Sequence, residues 1–476
     1  MENNNIITFY RSFILTSDAY KETHHFMRPP ETTHMYSYAE SRGGILPYTV
    51  FEGLQIILLK HFVGQVVTQQ KIDEADAFCY KVFGANYFNR EGWQYILDKY
   101  DGYIPLTIKA VPEGTVVPTG NVLMTVENKD PKLEWLTNFA ETILLHIWYS
   151  TTVCTVSYHT KLIIRKWAKL TGSEVSPFHL NDFGFRGVSS VESAGIGGQA
   201  HLANWLGTDN LEGVLYAMKY YGADVCGFSV PAAEHSTITV FGKNYEADAY
   251  EHLLDKFPTG ILSIVLDSWD IYNAIINILG KKLKDKILAR VGKVVVRPDS
   301  GDPVEVCLKV IQLLWDAFGG TVNKKGFKVL NPVVGILYGD GITYLMIDKI
   351  CEALHDNGWA IENVIFGQGG GLLQQWDRDT FKFAFKVSQA VVGGLPRDVY
   401  KTPITDMGKS SKRGRLKLIR NNGTYTTVCQ TSYEEDDELV TVFENGKMLK
   451  EYTFDEIRNW IRKQSENHNF FSEIVK

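Results

Sequence analysis

The sequence predicts an α/β protein: an irregular (β/α) barrel domain plus a discontinuous α+β domain built from the N- and C-terminal segments. Three observations support this prediction. From about residue 178 a short apolar strand, a polar or glycine-rich turn and a helical pattern recur. Short β runs precede this region, and hairpin signals follow it after residue 395. We therefore expect segments 1–170, 171–392 and 393–476, with the third joining the first.

The N-terminal segment alternates between helical and β patterns. Residues 53–100 carry helical spacing, because their apolar residues recur on one helix face. Short runs interrupted by proline and glycine then predict a small, mostly antiparallel β subdomain at 104–114, 116–120 and 122–126. Residues 133–170 have a helical pattern again.

The central segment contains six candidate strands, each followed by a polar turn. They are 178–183, 224–229, 261–266, 293–297, 333–338 and 363–366. Spacings of roughly 25 to 45 residues suit βα units. In a (β/α) barrel the turns after these strands would converge at one mouth. A doubly wound open sheet would place them along one edge, and periodicity alone leaves both arrangements open.

The C-terminal segment returns to β patterns. Residues 415–420 and 424–428 flank the turn Asn421-Asn422-Gly423 and predict a hairpin. A second hairpin signal lies at 440–446. Thr453 and Glu456 form a capping-box pattern that predicts a last helix.

Composition excludes several classes of protein. The chain has 476 residues, 45% of them hydrophobic and 22% charged, with a net charge of −6. This charge argues against a nucleic-acid partner. Six scattered cysteines without a C-x-x-C pair indicate reduced, cytoplasmic usage. The polar start Met1–Asn5 does not resemble a signal peptide, and no apolar run reaches the ~20 residues of a membrane span.

One stretch, 227–239, holds the residue with the most versatile chemistry. His235 follows Glu234 and precedes Ser236, where an apolar run turns into a helical pattern. An imidazole there can change its charge near neutral pH. Taken alone, however, the pattern favours a histidine capped by its neighbours at the start of a helix over a functional group.

Glycine-containing turns follow two late strands, at 339–341 and 367–371. Late βα loops of barrels commonly bind phosphate through backbone N–H groups, and glycine lets the backbone approach the anion. The alternative is a tight turn. The glycines at 195–198 resemble a dinucleotide fingerprint only loosely, since they follow a helical rather than a strand pattern.

Charged residues stand at further strand ends. Arg297 and Asp299 end a very apolar strand, where they suit a phosphate and a sugar diol, or else a structural ion pair. Arg186 follows the first strand, and Asp209 precedes another helix, where it could serve only as a helix N-terminal residue. Together these groups suit a phosphorylated sugar that develops positive charge at carbon.

At this point several motifs resemble those of the nicotinamide phosphoribosyltransferase family of type II phosphoribosyltransferases. They are Asp182–Ser190, Ser229–Thr239, Arg297–Gly301, Gly339–Gly341 and Gly367–Leu373, in the same order, and the resemblance extends from Asp18 to Arg458. It implies a homodimer with shared active sites. The reaction joins nicotinamide to 5-phosphoribosyl 1-diphosphate and yields nicotinamide mononucleotide and diphosphate, in NAD salvage. Mg²⁺, bound mainly through diphosphate, and ATP as a coupling co-substrate are also implied.

The resemblance assigns roles to individual residues. Phe183 and Tyr20 of the partner subunit would stack the nicotinamide ring, and Asp209 would accept from the carboxamide NH₂. His235 would accept a phosphoryl group from ATP, oriented by Asp267 or Glu234. The remaining implied contacts are Ser263 and Arg297 to substrate, Arg186 to diphosphate, Asp299 to ribose hydroxyls, and Gly339, Asp340, Gly370 and Arg378 to the 5′-phosphate end. Arg42, Lys386 and Lys401 are implied phosphate contacts across the dimer, and no protein ligand is assigned to the metal.

Three departures and three alternatives accompany the resemblance. Asn181 and Phe185 stand where the family has His and Tyr, and Gln368 stands where it has Ser. The first alternative is a nicotinate phosphoribosyltransferase, but Asp209 would repel a carboxylate substrate by about 1 to 4 kcal/mol. The others are a non-catalytic binding protein that keeps the fold and an unrelated phosphate-binding barrel such as an isomerase.

Overall fold

The computed structural model describes residues 12–405, 407–421, 423–429 and 436–466. These residues form two compact units. The first contains the described parts of Met1–Thr155, Tyr220–Gly222 and Trp376–Lys476, and the second contains Val156–Lys219 and Ala223–Gln375. The polar stretch Met1–Asn5, predicted not to be a signal peptide, lies outside the described residues.

The unit boundaries differ from the expected positions 170 and 392. The first one falls inside the helix Ile147–Thr171, where an uninterrupted helical pattern gives no signal of a boundary. The second falls after Gln375, because the strand Phe383–Val392 pairs with Thr32–Ser41 of the first unit. Strand pairing between distant segments therefore decides the second of these boundaries.

A seven-stranded antiparallel sheet organises the first unit. In spatial order its strands are Leu395–Asp398, Phe383–Val392, Thr32–Ser41, Val122–Asn128, Leu106–Ala110, Val440–Glu444 and Lys447–Met448. Two antiparallel pairs accompany it, Tyr48–Phe51 with Thr115–Pro118 and Leu416–Asn421 with Thr424–Cys429. The second pair confirms the predicted hairpin, whose turn residue Asn422 lies outside the described residues.

Helices and an aromatic core complete the first unit. Trp93 packs edge-on against Trp135, with ring centroids 4.8 Å apart, and Phe13 packs similarly on Phe62 at 4.9 Å. The last helix confirms the capping box, since the Glu456 N–H donates to Thr453 Oγ1 and the Thr453 N–H donates to the Glu456 carboxylate. The helices are Leu54–His61, Gln69–Phe83, Arg90–Tyr100, Glu134–Phe139, Glu141–Leu144 and Phe454–Glu466.

A six-stranded parallel sheet organises the second unit. In spatial order its strands are Gly207–Thr208, Leu180–Asp182, Val364–Gln368, Val334–Tyr338, Val291–Arg297 and Thr259–Val265. Among the strands of this sheet, the one that comes last in the chain, Val364–Gln368, pairs with the one that comes first, Leu180–Asp182. All other neighbours are consecutive among the strands of this sheet, which is the order of a (β/α) barrel rather than of a doubly wound open sheet.

An irregular segment joins the two edge strands of this sheet. Phe228 bridges to Gly207, and Ala232 bridges to Ser263, both in parallel orientation. The prediction of a regular strand at 224–229 is therefore wrong. Pro231 lacks an N–H for a ladder, so only isolated bridges form. The short strand Gly207–Thr208 was not predicted, because two residues carry no periodicity.

Side-chain alternation gives the barrel two different faces. Val294, Val296 and Ile336 are buried in a core that also contains Ile311 and Ile350 from the covering helices. Residues one position away in each strand point to the opposite, inner face. The covering helices and the other helices of this unit are Val191–Leu202, Leu211–Tyr221, His235–Thr239, Glu246–Lys256, Ile271–Asn273, Lys284–Leu288, Pro303–Phe318, Tyr344–Asp356 and Gly370–Leu373, with a π-helix at Ala274–Lys282.

The glycines at 195–198 lie in the helix Val191–Leu202. A Cβ on Gly198 would lie 2.9 Å from the Cα of Gly213, so two helix backbones pass close together there. These glycines serve helix packing, as their helical context predicts.

The six cysteines are free thiols, five of them buried. No helix in the described ranges combines the length and apolar character that crossing a bilayer requires.

Candidate functional site

A histidine–aspartate pair lies at the carboxyl ends of the barrel strands. His235 begins the helix His235–Thr239, and its Nε2 lies 2.9 Å from Oδ1 of Asp267. The imidazole is 44% exposed, whereas the Asp267 side chain is only 8% exposed. A buried carboxylate beneath an accessible imidazole fixes the ring orientation and leaves the other nitrogen open.

Asp267 is itself held by the next strand end. Its Oδ2 accepts from Ser300 Oγ at 2.5 Å and from the Asp299 N–H at 3.0 Å. Burial opposes ionisation of Asp267, but the hydrogen bonds from Ser300, His235 and Asp299 outweigh it and hold its pKa below the ordinary value. An ionised Asp267 requires a proton on Nε2, so in the neutral form of the imidazole Nδ1 carries the lone pair.

Glu234 does not orient the imidazole. Its carboxylate accepts from the Ser236 hydroxyl, and its backbone carbonyl accepts from Thr237. Of the two orienting groups considered for His235, the structure places Asp267 in contact with the ring.

Arg297 and Asp299 do not form the structural ion pair that the sequence left open. The Asp299 carboxylate instead lies 3.9 Å from Nδ1 of His235. Among the described residues Nε of Arg297 is buried and lacks a hydrogen-bond partner. A buried guanidinium donor without a partner is costly, so a ligand or water acceptor is expected there. Ser263, 4% exposed, lies on the neighbouring strand.

Phe183 lies over Gly367, within the strand Val364–Gln368, and over Gly339, directly after the strand Val334–Tyr338. A Cβ added to Gly367 would lie 2.1 Å from Cε2 of its ring, and one added to Gly339 would lie 3.5 Å from Cδ2. The Phe183 N–H donates to the carbonyl of Gln368 at 2.8 Å. Gly367 is therefore required for the ring to occupy this position.

Asp209 stands at the end of the strand Gly207–Thr208 with an exposed carboxylate. Its Oδ1 accepts from Ser229 Oγ at 2.5 Å, and its N–H donates to the carbonyl of Asp182 at 2.9 Å. It does not cap the following helix, because Asn210 accepts from the Gly213 N–H in that position. The alternative of a helix N-terminal residue is therefore wrong.

A buried carboxyl group supports this strand end. Asp182 is fully buried, and it accepts from the Gly184 N–H at 2.7 Å and from Nδ2 of Asn210 at 2.9 Å. Burial raises the pKa of Asp182 to about 6, against the effect of these hydrogen bonds. The pair of Asp182 and Asn210 joins the loop that carries Phe183 to the loop that carries Asp209.

Of the remaining predicted contacts of the second unit, Arg186 and Asp340 are exposed, and Gly339 and Gly370 are half-buried. Arg186 lies in the short turn Phe185–Gly187, and Asp340 lies in the turn after Val334–Tyr338. A Cβ on Gly370 would meet no atom within 4 Å. These positions leave space for a ligand, and their contacts to phosphate stay a prediction.

The first unit holds the other predicted contacts. Tyr20 is 58% exposed on the segment Ala19–Phe26. Arg42 donates to Glu40 at 2.8 Å, and Nη2 of Arg42 is buried without a partner among the described residues. Burial lowers the pKa of Lys386; the charge of Glu141 opposes this shift, and the charges of Arg42, Lys401 and Lys21 add to it. Arg378 is exposed and pairs with Asp379 at 3.0 Å.

Ser300 and the supporting role of Ser229 were not foreseen. Both lie inside motifs that the sequence singled out, but neither residue type carries a charge that would mark it. Their hydrogen bonds to Asp267 and Asp209 depend on strand ends that are distant in sequence.

Replacing Gly367 by alanine is expected to displace the Phe183 ring. The added methyl would overlap Cε2 at 2.1 Å, so the ring must move by more than about 1 Å. We expect KM for the pyridine substrate that the family resemblance implies to rise at least about tenfold, with a lower melting temperature. Steady-state kinetics and thermal unfolding measure both. Gly187→Ala is the control, because its methyl would lie 3.8 Å or more from its nearest neighbours; equal pyridine KM values in the two variants would contradict the steric argument.

A parallel barrel with polar groups and glycine turns at its carboxyl ends is the class of fold that binds phosphorylated ligands there. The model of the nicotinate phosphoribosyltransferase (NAPRTase) family matches residues 178–447, which defines the class as a phosphoribosyltransferase. The model of the nicotinamide phosphoribosyltransferase N-terminal domain matches residues 12–108. The nicotinamide phosphoribosyltransferase of Xanthomonas campestris pv. campestris (strain 8004) is 47% identical over 459 residues, 94% of this chain and 97% of that protein. The chain thus belongs to the nicotinamide phosphoribosyltransferase family.

Solved structures share the fold. The nicotinate-nucleotide pyrophosphorylase of Pyrococcus furiosus matches with a TM-score of 0.62 and 17% identity, over 98% of this chain and 99% of that one. Human nicotinic acid phosphoribosyltransferase matches with a TM-score of 0.57 and 15% identity, over 94% and 93%. At such identities the likeness concerns the fold alone, and it agrees with the predicted α/β barrel class.

Proposed function

We propose that this chain joins nicotinamide to 5-phosphoribosyl 1-diphosphate, giving nicotinamide mononucleotide and diphosphate, as a step of NAD salvage. The observation that carries the proposal is the 47% identity to the Xanthomonas enzyme over 94% of the chain. The geometry of the second unit supports it, because an aromatic ring, an exposed carboxylate and an unpaired guanidinium donor lie at adjoining strand ends.

Phe183 and Asp209 suit a neutral pyridine carboxamide. The Phe183 ring offers a face for stacking the pyridine, and Tyr20 of the partner subunit would cover the other side. The Asp209 carboxylate accepts from the carboxamide NH₂, and Ser263 and Arg297 face its oxygen. Nicotinate would bring a second carboxylate to Asp209, which explains our preference for nicotinamide over nicotinate.

Ribosyl transfer needs stabilisation of positive charge at carbon and of negative charge on the leaving group. The pyridine nitrogen attacks C1 of the ribose while the bond from C1 to the diphosphate oxygen breaks. Asp299 holds the ribose hydroxyls near the developing cation, and Arg186 neutralises the diphosphate. Gly339, Asp340, Gly370 and Arg378 hold the 5′-phosphate end, with Arg42, Lys386 and Lys401 as phosphate contacts across a dimer.

Mg²⁺ fits this arrangement as an ion held mainly by diphosphate. In the ranges that the structure describes, no group of three or more His, Cys, Asp or Glu side chains is arranged to hold a metal ion. Asp299 and Asp340 would supply hard carboxylate oxygens of the kind that suits Mg²⁺, in addition to the diphosphate oxygens. When bound, the ion neutralises charge on the leaving group.

His235 is the residue that couples ATP hydrolysis to the ribosyl transfer. Nδ1, free of the Asp267 contact, attacks the γ-phosphorus of ATP; the bond to the bridging oxygen breaks and ADP leaves. Water later attacks the phosphohistidine, which releases phosphate and restores the imidazole. Asp267 stabilises the ring by accepting from Nε2–H throughout.

A homodimer with shared active sites is part of the proposal. Leu211, Leu215 and Met218 are 71%, 54% and 39% exposed on one face of the helix Leu211–Tyr221. Such an apolar stripe on a helix is typical of a subunit interface. Light scattering should give twice the chain mass of 53.8 kDa.

We place the enzyme in the cytoplasm, which suits its six free thiols.

The test is direct. The purified protein is incubated with nicotinamide, 5-phosphoribosyl 1-diphosphate and Mg²⁺, with and without ATP, and mononucleotide and ADP are measured. We expect nicotinamide mononucleotide in both cases and ADP only with ATP. Preferential turnover of nicotinate would favour the nicotinate enzyme, and no turnover of either substrate would favour a binding protein that keeps the fold.

A further inference from the structure

The hydroxyl of Ser229 lies in the segment that joins the two edge strands of the barrel. The Phe228 N–H donates to the Leu206 carbonyl at 2.8 Å, and the Thr208 N–H donates to the Phe228 carbonyl at 3.0 Å. These two bonds fix the backbone of the segment against the strand that precedes Asp209. The Ser229 hydroxyl then reaches Oδ1 of Asp209 at 2.5 Å, across 20 residues of sequence.

The bond direction is determined by chemistry. An ionised carboxylate can only accept, so Ser229 must donate its one proton to Asp209. The next acceptor near this hydroxyl, the Val230 carbonyl, lies 3.5 Å away, at the limit of hydrogen-bond length. The hydroxyl proton is thus committed to Asp209, and the Ser229 oxygen presents only lone pairs to its other neighbours.

Two consequences follow for the carboxylate. Oδ1 of Asp209 already accepts from Ser229, and this bond holds the rotamer of the Asp209 side chain. Oδ2 of Asp209 therefore remains as the acceptor that a ligand can use. A hydrogen bond to a charged group is among the stronger ones, particularly at 2.5 Å. Without it, an exposed aspartate would sample several rotamers and lose part of its orientation.

We infer that Ser229 is a positioning residue that makes Asp209 selective for a carboxamide over a carboxylate. The pair of Asp209 and Ser229 exposes acceptors only, so a ligand must bring N–H donors. A carboxamide NH₂ brings two, whereas a carboxylate brings none and leaves the acceptors unsatisfied. This inference rests on the proposed function, since it concerns recognition of the same pyridine substrate.

The experiment compares Ser229→Ala and Ser229→Thr with the intact wild-type enzyme. For Ser229→Ala we expect KM for nicotinamide to rise about tenfold with kcat within about twofold, because a bond to a charged acceptor is lost from binding. The ratio of kcat/KM for nicotinamide over nicotinate should fall by about the same factor. Ser229→Thr keeps the hydroxyl and should restore at least half of that ratio. Thr321→Ala, which removes an exposed hydroxyl from the hairpin strand Gly320–Val322 of the same unit, is the control and should match wild type.

Calorimetric titration of nicotinamide into each protein, without the second substrate, gives a readout independent of turnover. Its dissociation constant should rise about tenfold in Ser229→Ala only. An unchanged substrate ratio in Ser229→Ala would overturn the inference while an active wild type upholds the proposed function. Equal losses in Ser229→Ala and Ser229→Thr would reduce Ser229 to a structural role in the segment and would also overturn it. A wild type that does not use nicotinamide would refute the proposed function itself.

Discussion

His235→Ala is expected to reduce ATP hydrolysis by more than about a thousandfold while retaining part of the ATP-independent ribosyl transfer. The imidazole is the proposed phosphoryl acceptor, and alanine offers no nucleophile in its place. Its Nδ1 is the nitrogen that the Asp267 contact leaves free. Release of ADP and formation of nicotinamide mononucleotide, measured separately, distinguish the two activities.

Asp267→Asn provides the graded comparison. Asparagine keeps the shape but cannot stabilise a positively charged or phosphorylated ring, so we expect a loss of ATP hydrolysis of about ten- to a hundredfold. Intact ATP turnover in His235→Ala would show that the phosphoryl group passes elsewhere, even if the ribosyl transfer is correctly assigned.

Asp209→Asn is expected to shift the substrate preference from nicotinamide towards nicotinate by about a hundredfold in the ratio of kcat/KM values. At close range the aspartate repels a carboxylate by about 1 to 4 kcal/mol, and asparagine removes that repulsion while offering an N–H donor. Competition between the two substrates, with both mononucleotides quantified, measures the ratio.

Asp182, at the end of the strand Leu180–Asp182, is unsuitable as a control substitution. It is buried, and its hydrogen bond from Asn210 supports the loop. An exposed acidic residue of the same unit, Asp316→Asn, is the matched control and should leave the ratio unchanged. A ratio that does not move in Asp209→Asn would mean that another group recognises the amide.

Much of the barrel could be predicted because its strands are short, very apolar and followed by polar turns. The predicted strands 293–297 and 333–338 illustrate this pattern. Their first residues lie within two residues of the first residues of the observed strands Val291–Arg297 and Val334–Tyr338, and their last residues coincide. The segment 224–229 carries a similar pattern but forms only isolated bridges. Its backbone must bend towards both edge strands, and Pro231 prevents a continuous ladder.

Site chemistry was less accessible to sequence reasoning than strand positions. Glu234 and Asp267 were equal candidates for orienting His235, because adjacency in sequence says nothing about which carboxylate meets a ring after folding. The structure places Asp267 beneath the imidazole and turns Glu234 to Ser236. Neutral donors such as Ser300 carry no signal in a single sequence, although here one of them holds a carboxylate from another strand end.

By itself the sequence determined the succession of βα units, the polar and glycine turns after their strands, and the hairpins near the C-terminus. These features depend on local periodicity and turn chemistry, which are determined by residues close together in the sequence. Only the tertiary structure decided that Val364–Gln368 closes on Leu180–Asp182 and that Phe383–Val392 joins the sheet of the first unit. It also decided that His235 meets Asp267, and that Asp209 meets Ser229. Such contacts join residues that are distant in the chain, and only the packing and pairing of whole strands bring them together.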